Sequence, residues 1–97
     1  MIYGMYSLRD VKSTWLTPTT EPNDEYAIRN FVFATEGMPL LKLCPNDYAL
    51  YRIGDFDIET GSLLSYPTPE LLIDGVEAYR QLSLLRKKVS NEIPDAV

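Results

Sequence analysis

Histidine is absent from the 97 residues, and cysteine occurs once. The first absence excludes Ser-His and Cys-His catalytic pairs, imidazole acid–base chemistry, and any zinc site that needs three or four Cys/His ligands. The second excludes an internal disulfide and suits a reducing, cytoplasmic compartment. Long apolar runs are missing as well. No stretch approaches the roughly 18 residues of a membrane-crossing helix, and MIYGMYSLRD carries no basic segment ahead of an apolar one. Neither a membrane span nor a signal peptide is expected. With no ligand set in view, no metal and no cofactor is expected either.

What is present is a chain that can fold. It is 45% hydrophobic with seven tyrosines, well away from the low-hydrophobicity, high-charge composition of disordered chains. Its length allows one domain with one modest core. That domain is expected over residues 1–90, with residues 91–97 as a flexible C-terminal tail. The net charge is −5, and its distribution matters more than its sum. Residues 1–79 carry 5 basic and 12 acidic side chains, whereas the segment from Arg80 to Lys88 carries four basic ones and no acid. An acidic body repels phosphate backbones, so any contact with DNA has to be local.

Along the chain, IYGMYSLR and TWLTP read as two strands around a turn. Asn23 then stands as the N-cap of a helix over residues 24–36, with Asp24 and Glu25 in its first turn and Gly37 in the C′ position. MPLLKLCPND, bracketed by prolines, reads as a loop with buried leucines. Cys44 within it reads as a small buried apolar residue, the alternative being a reactive thiol. YALYRIGDF and SLLSYP form a second hairpin. A second helix is expected from Thr68 as cap and Pro69 as first residue, carrying Leu72, Val76, Tyr79, Leu82 or Ser83, and Leu85 or Arg86 as a stripe toward Val89. The order is ββαββα, an α+β fold with a four-stranded, mainly antiparallel sheet and two helices on one face.

GDFDIETG, residues 54–61, places three carboxylates at spacings that invite a metal reading. A calcium loop starting at Asp55 needs glycine at its sixth position and glutamate at its twelfth, where this chain has Thr60 and Tyr66. The stretch instead fits a hairpin turn. Asp57 accepts amides ahead of it, Ile58 and Glu59 make the turn, and Gly61 takes the left-handed position. No catalytic residue is assigned, and no enzyme activity is expected.

Two surfaces are candidates for a ligand. The sheet face away from the helices draws on Tyr3, Met5, Arg9, Trp15, Tyr51 and Arg52, with Lys12 beside it. Aromatics next to arginines suit single-stranded bases, protein interfaces or plain sheet packing. The second surface is Arg86, Lys87 and Lys88 near the end of the last helix, where cations also stabilise a helix terminus. Two open sheet edges and surplus apolar helix surface favour a homodimer, with Tyr79, Leu82 and Leu85 at its interface.

The segments MIYGMYSLRDVKSTWLTPTTEPNDEYAIRNF, YALYRIGDFDIETG and YPTPELL resemble the small non-structural protein of gokushoviruses. These are Microviridae, phages with small circular single-stranded DNA genomes. The resemblance covers roughly residues 1–75. It implies a DNA-binding accessory protein of single-stranded DNA replication and packaging, at work in the host bacterial cytoplasm. The implied partners are single-stranded DNA and viral or host replication or assembly proteins. A pure protein-interaction module that redirects the viral initiator or a host replication enzyme is the alternative.

Overall fold

A computed structural model describes residues 1–92; residues 93–97 of the expected tail, and the side chains from Lys88 onward, lie outside the described residues. The chain forms β1 (Ile2–Asp10), β2 (Thr19–Glu21), α1 (Asp24–Ala34), α2 (Pro39–Leu43), β3 (Tyr48–Asp57), β4 (Leu63–Asp74) and α3 (Gly75–Glu92). The four strands make one sheet in the order β2-β1-β3-β4, and every pairing is antiparallel. This is the expected α+β fold, with the short α2 added.

The core lies between the sheet and the helices. Tyr6, Tyr48, Leu50 and Ile73 come from the strands, Ala27, Phe31 and Val32 from α1, Leu41 from α2, and Ala78 and Leu82 from α3. Strand periodicity explains the choice. Tyr6 and Leu8 share one parity of β1, and Leu50 pairs with both Leu8 and Ile73 across the sheet. Asn23 caps α1 as expected, its side chain accepting from the Tyr26 amide at 2.8 Å, a contact of about 1 kcal/mol.

Several boundaries differ from the sequence expectation. Residues 63–74 are one long strand, and α3 begins at Gly75 rather than at Thr68 and Pro69. Pro67 and Pro69 are tolerated because β4 is an edge strand, where a missing amide costs no ladder bond. They fall where the pairing skips from Arg52↔Glu70 to Gly54↔Ser65, so Tyr66–Pro69 bulge out of register. The cap of α3 is Asp74, whose carboxylate accepts from the Glu77 amide at 2.8 Å. The residues of α3 that enter the core are Ala78 and Leu82, while Val76 and Tyr79 are exposed.

The N-terminal hairpin closes later than TWLTP. Trp15 makes only an isolated bridge to Arg9, and pairing resumes at Thr19 after Pro18. Helix α1 gives way at Thr35–Gly37 to a 3-10 turn, so Gly37 does not serve as a left-handed cap. In PLLKL, the loop expectation is replaced by one helical turn that buries Leu41 and leaves Leu40 and Leu43 exposed. Cys44, expected to be buried, is exposed at the end of that turn. The 57–61 turn follows its sequence. Asp57 Oδ1 accepts from the Glu59 amide at 2.9 Å, the Gly61 amide donates to the Asp57 carbonyl at 2.8 Å, and Gly61 has φ 78°.

Candidate nucleic-acid interface

The helices cover one face of the sheet, and the other is open. Tyr3, Met5, Ser7 and Arg9 share the open parity of β1, the parity opposite to core Tyr6 and Leu8. Register then builds the face outward. Ser7 pairs with Tyr51, which pairs with Leu71, while Tyr3 pairs with Phe56, which pairs with Leu63.

Trp15 reaches this face because its segment is pinned back onto β1. The Leu16 amide donates to the Leu8 carbonyl at 2.8 Å, and Ser7 Oγ donates to the Leu16 carbonyl at 2.6 Å. Asp10 shapes the turn before it by accepting from the Lys12 amide at 2.9 Å. The outcome is a cluster of three candidates. The Trp15 and Tyr51 rings meet edge to face with centroids 5.0 Å apart, and the Arg9 guanidinium lies 5.5 Å from the Trp15 centroid. Trp15 remains 38% exposed. Arg9 makes no ion pair among the described residues, so its charge is uncommitted. Lys12 stands in the exposed turn at the end of the same strand.

Arg52 belongs elsewhere. It follows Tyr51 and pairs with Tyr6, which puts it on the helix-covered face, because neighbours in a strand point to opposite sides. Its Nη1 donates to Asp24 Oδ1 at 2.6 Å and its Nη2 to Asp55 Oδ1 at 2.7 Å. Tyr6 Oη donates to the same Asp24 oxygen at 2.7 Å, and Tyr66 Oη donates to Asp55. Glycine at position 4 leaves room for this arrangement, since a Cβ there would strike the Tyr6 ring. The electrostatics are those of a closed network. Hydrogen bonds from Tyr66 and Arg52 hold the Asp55 carboxyl below its usual range. Burial and the Asp24 bond push the Tyr6 phenol up, and the Asp55 bond and burial push Tyr66 up. With Nη1 and Nη2 engaged by carboxylates and Nε buried without a partner among the described residues, Arg52 ties β3 to the start of α1 and turns no free donor toward the open face.

The basic end of α3 is also partly committed. Arg86 pairs with Glu36 in the 3-10 turn, which Lys42 also approaches at 3.9 Å. Arg80 forks onto Glu77 through two bonds of 2.6 and 2.8 Å, and those bonds hold the Glu77 carboxyl down at about 2. Lys87 is exposed, and the Lys88 side chain lies outside the described residues. The three dimer candidates separate too. Leu82 is a core residue, 6% exposed. Tyr79 and Leu85 stand three residues to either side, about 60° off its direction, so they flank the core contact on opposite sides.

The sequence reading missed the anchoring network because Asp24 served as a helix-dipole residue and Asp55 as part of a turn. It missed Leu63, Leu71 and Phe56 on the open face because their rows depend on the β3–β4 register. A family model described as Phage ORF5 protein matches residues 3–78, which include all of the sheet except Ile2 but not Arg86 or Lys87. No curated protein and no solved structure matches the chain.

Proposed function

This chain belongs to the Phage ORF5 protein family, and from that premise we propose that it is a non-enzymatic accessory protein of single-stranded DNA phage replication or packaging. It acts in the host bacterial cytoplasm by holding single-stranded DNA on the open face of its sheet. The observation that carries this reading is the Arg9–Trp15–Tyr51 cluster. Partly exposed rings accept any base on their open surface, stacking contributes about 1 to 3 kcal/mol per base, and an uncommitted guanidinium can meet a phosphate or stack in turn. The placement is also compatible with a net charge of −5, since the cation sits on one face while three of the carboxylates are engaged elsewhere: Asp24 and Asp55 by Arg52, Asp74 by the start of α3. The gokushovirus resemblance supplies the genome type.

Trp15 is the sole tryptophan, so its intrinsic fluorescence reports on the proposed face. Titrating a single-stranded oligonucleotide across a salt series is expected to quench that emission, with affinity falling as salt rises. The absence of binding at about 20 mM salt, where the electrostatic term is largest, overturns direct DNA contact.

A second reading rests on a different observation. Leu63 and Leu71 lie exposed on the same face, 63% and 57% accessible, and apolar residues beside aromatics also suit a protein partner. On that reading the chain redirects a viral initiator or host replication enzyme without touching DNA. Capture of a defined protein that survives nuclease treatment, together with no quenching by oligonucleotide, selects it.

A further inference from the structure

Away from the sheet's open face, the two long helices leave a groove of about 270 Å³ between them. Ile28 and Val32 line it from α1 together with the stripe Glu25, Arg29 and Phe33, and Leu85 faces them from α3. Phe33 is 55% exposed and Leu85 39%. A half-exposed phenylalanine beside an apolar trough leaves much aromatic surface in water, and burial of such a ring is a strong source of association energy.

The charges on the rim indicate what covers it. Glu25 and Arg29 are four residues apart on one helix, a spacing at which a glutamate and an arginine ordinarily pair. Here they do not. Arg29 turns its guanidinium over the Tyr26 ring, 4.9 Å from its centroid, and neither residue makes an ion pair among the described residues. The rim therefore presents one free acid and one free base of zero net charge beside an apolar centre. A nucleic acid or an acidic partner would want a positive rim, and a basic partner a negative one. A rim of both signs fits a second copy of itself: a two-fold axis running along α1 sets the two helices side by side, with Glu25 of each about 6 Å, one helical turn, from Arg29 of the other and Phe33 of each level with the other's Leu85.

We propose that this groove is a self-complementary interface, in which two copies of the chain pair helix to helix. Phe33 of each copy enters the groove of the other near Leu85, and Glu25 of each meets Arg29 of the other. The pairing leaves the Arg9–Trp15–Tyr51 face free on both copies, because the groove lies on the helical side of the sheet. It uses Leu85 and neither Leu82 nor Tyr79, since Leu82 is consumed by the monomer's own core.

The test is the mass of the intact chain in solution, by light scattering or sedimentation over a range of concentrations. A species of 22.2 kDa, twice the 11.1 kDa of one chain, is expected at micromolar concentration. Charge reversal separates this interface from any other. Glu25→Arg and Arg29→Glu, each alone, put like charges face to face and should weaken the dimer about tenfold or more, whereas the two together restore complementarity and the dimer. All three positions of the test, Phe33→Asp included, are partly or largely exposed, and unchanged circular dichroism shows that the fold is intact. A mass of 11.1 kDa at every concentration overturns self-pairing and leaves the groove to a different protein. A dimer that survives Phe33→Asp and both single reversals overturns this interface.

Discussion

The two faces of the sheet are furnished with the same residue types and do opposite things with them. On the covered face, Arg52 lies 5.7 Å from the Tyr6 ring centroid, and on the open face Arg9 lies 5.5 Å from that of Trp15. The pairs differ in their acids. Arg52 is held by two carboxylates and is 18% exposed, whereas Arg9 meets none among the described residues. An arginine whose two terminal nitrogens are held by carboxylates inside the fold is a clamp, and one with an open fork beside an accessible ring is a recognition element. A single step of strand parity, from Tyr51 to Arg52, separates the two outcomes. Composition alone therefore says little about which arginine binds. The carboxylates within reach decide it.

The strongest way to break the comparison is to remove the clamp. Arg52→Ala leaves Asp24 and Asp55 without their shared cation beneath α1. Breaking a fully buried pair costs about 3 to 5 kcal/mol. Because Asp24 is 38% exposed, water screens part of the leftover charge, and about 2 to 3 kcal/mol is expected. Urea unfolding followed by circular dichroism measures it. Arg52→Lys should recover only part of the loss, since a point charge cannot fork onto two carboxylates. Below its unfolding transition, the Arg52→Ala protein should retain oligonucleotide affinity. A stable protein that has lost DNA binding would instead make Arg52 a ligand contact and erase the distinction between the faces.

The converse experiment strips the open face. Trp15→Ala and Tyr51→Ala should each weaken single-stranded oligonucleotide binding by about 1 to 3 kcal/mol, or about five- to 150-fold, read from the anisotropy of a labelled strand. Their cost in stability should be smaller than that of Arg52→Ala, because both rings lie on the uncovered side of the sheet. Arg9→Gln should lower affinity at low salt and flatten the salt dependence by about one counterion. Equal losses of stability in all these variants would mean that the open face is a second core.

The contrast between the faces also marks what the sequence could reveal. Alternation in MIYGMYSLR and YALYR exposed the strands and put Tyr3, Met5 and Arg9 on one side, because parity is a local property. The same rule places Tyr51 and Arg52 on opposite sides. Grouping them as one surface neglected it, since aromatic-next-to-basic resembles a binding motif in one dimension. The turn at Asp57–Gly61 was legible from its own residues. The start of α3 was not. TPE is an ordinary helix opening, and only the position of β4 at the sheet edge, a non-local fact, lets two prolines stand inside a strand. Likewise Leu82 fits an apolar stripe read as interface or as core, and the choice is made by how much of α3 the sheet and α1 cover.

The finest test of the covered face is its response to pH. Hydrogen bonds from Tyr66 and Arg52 depress the Asp55 carboxyl in the folded state. The stability it contributes is complete above the ordinary carboxyl pKa of about 3.9 and drains away as pH falls through the lowered folded value. Tyr6 is raised by burial and its bond to Asp24, and Tyr66 by its bond to Asp55 and by burial. Their contribution is complete below the ordinary phenol pKa of about 10 and is lost as pH climbs through the raised folded values. Stability should therefore hold level across the neutral range and decline at both ends. Tyr6→Phe removes one donor to Asp24, for a loss of about 1 kcal/mol at pH 7, and should shrink the alkaline decline. Tyr66 remains raised, as does Tyr48 through burial and Asp10, so the decline should lessen without disappearing. The open face carries no such phenol–carboxylate network among the described residues. Oligonucleotide affinity should stay flat from neutral pH to about pH 9, still below the ordinary phenol range. An alkaline decline of the same size with and without the Tyr6 hydroxyl would show that this phenol is not part of the clamp.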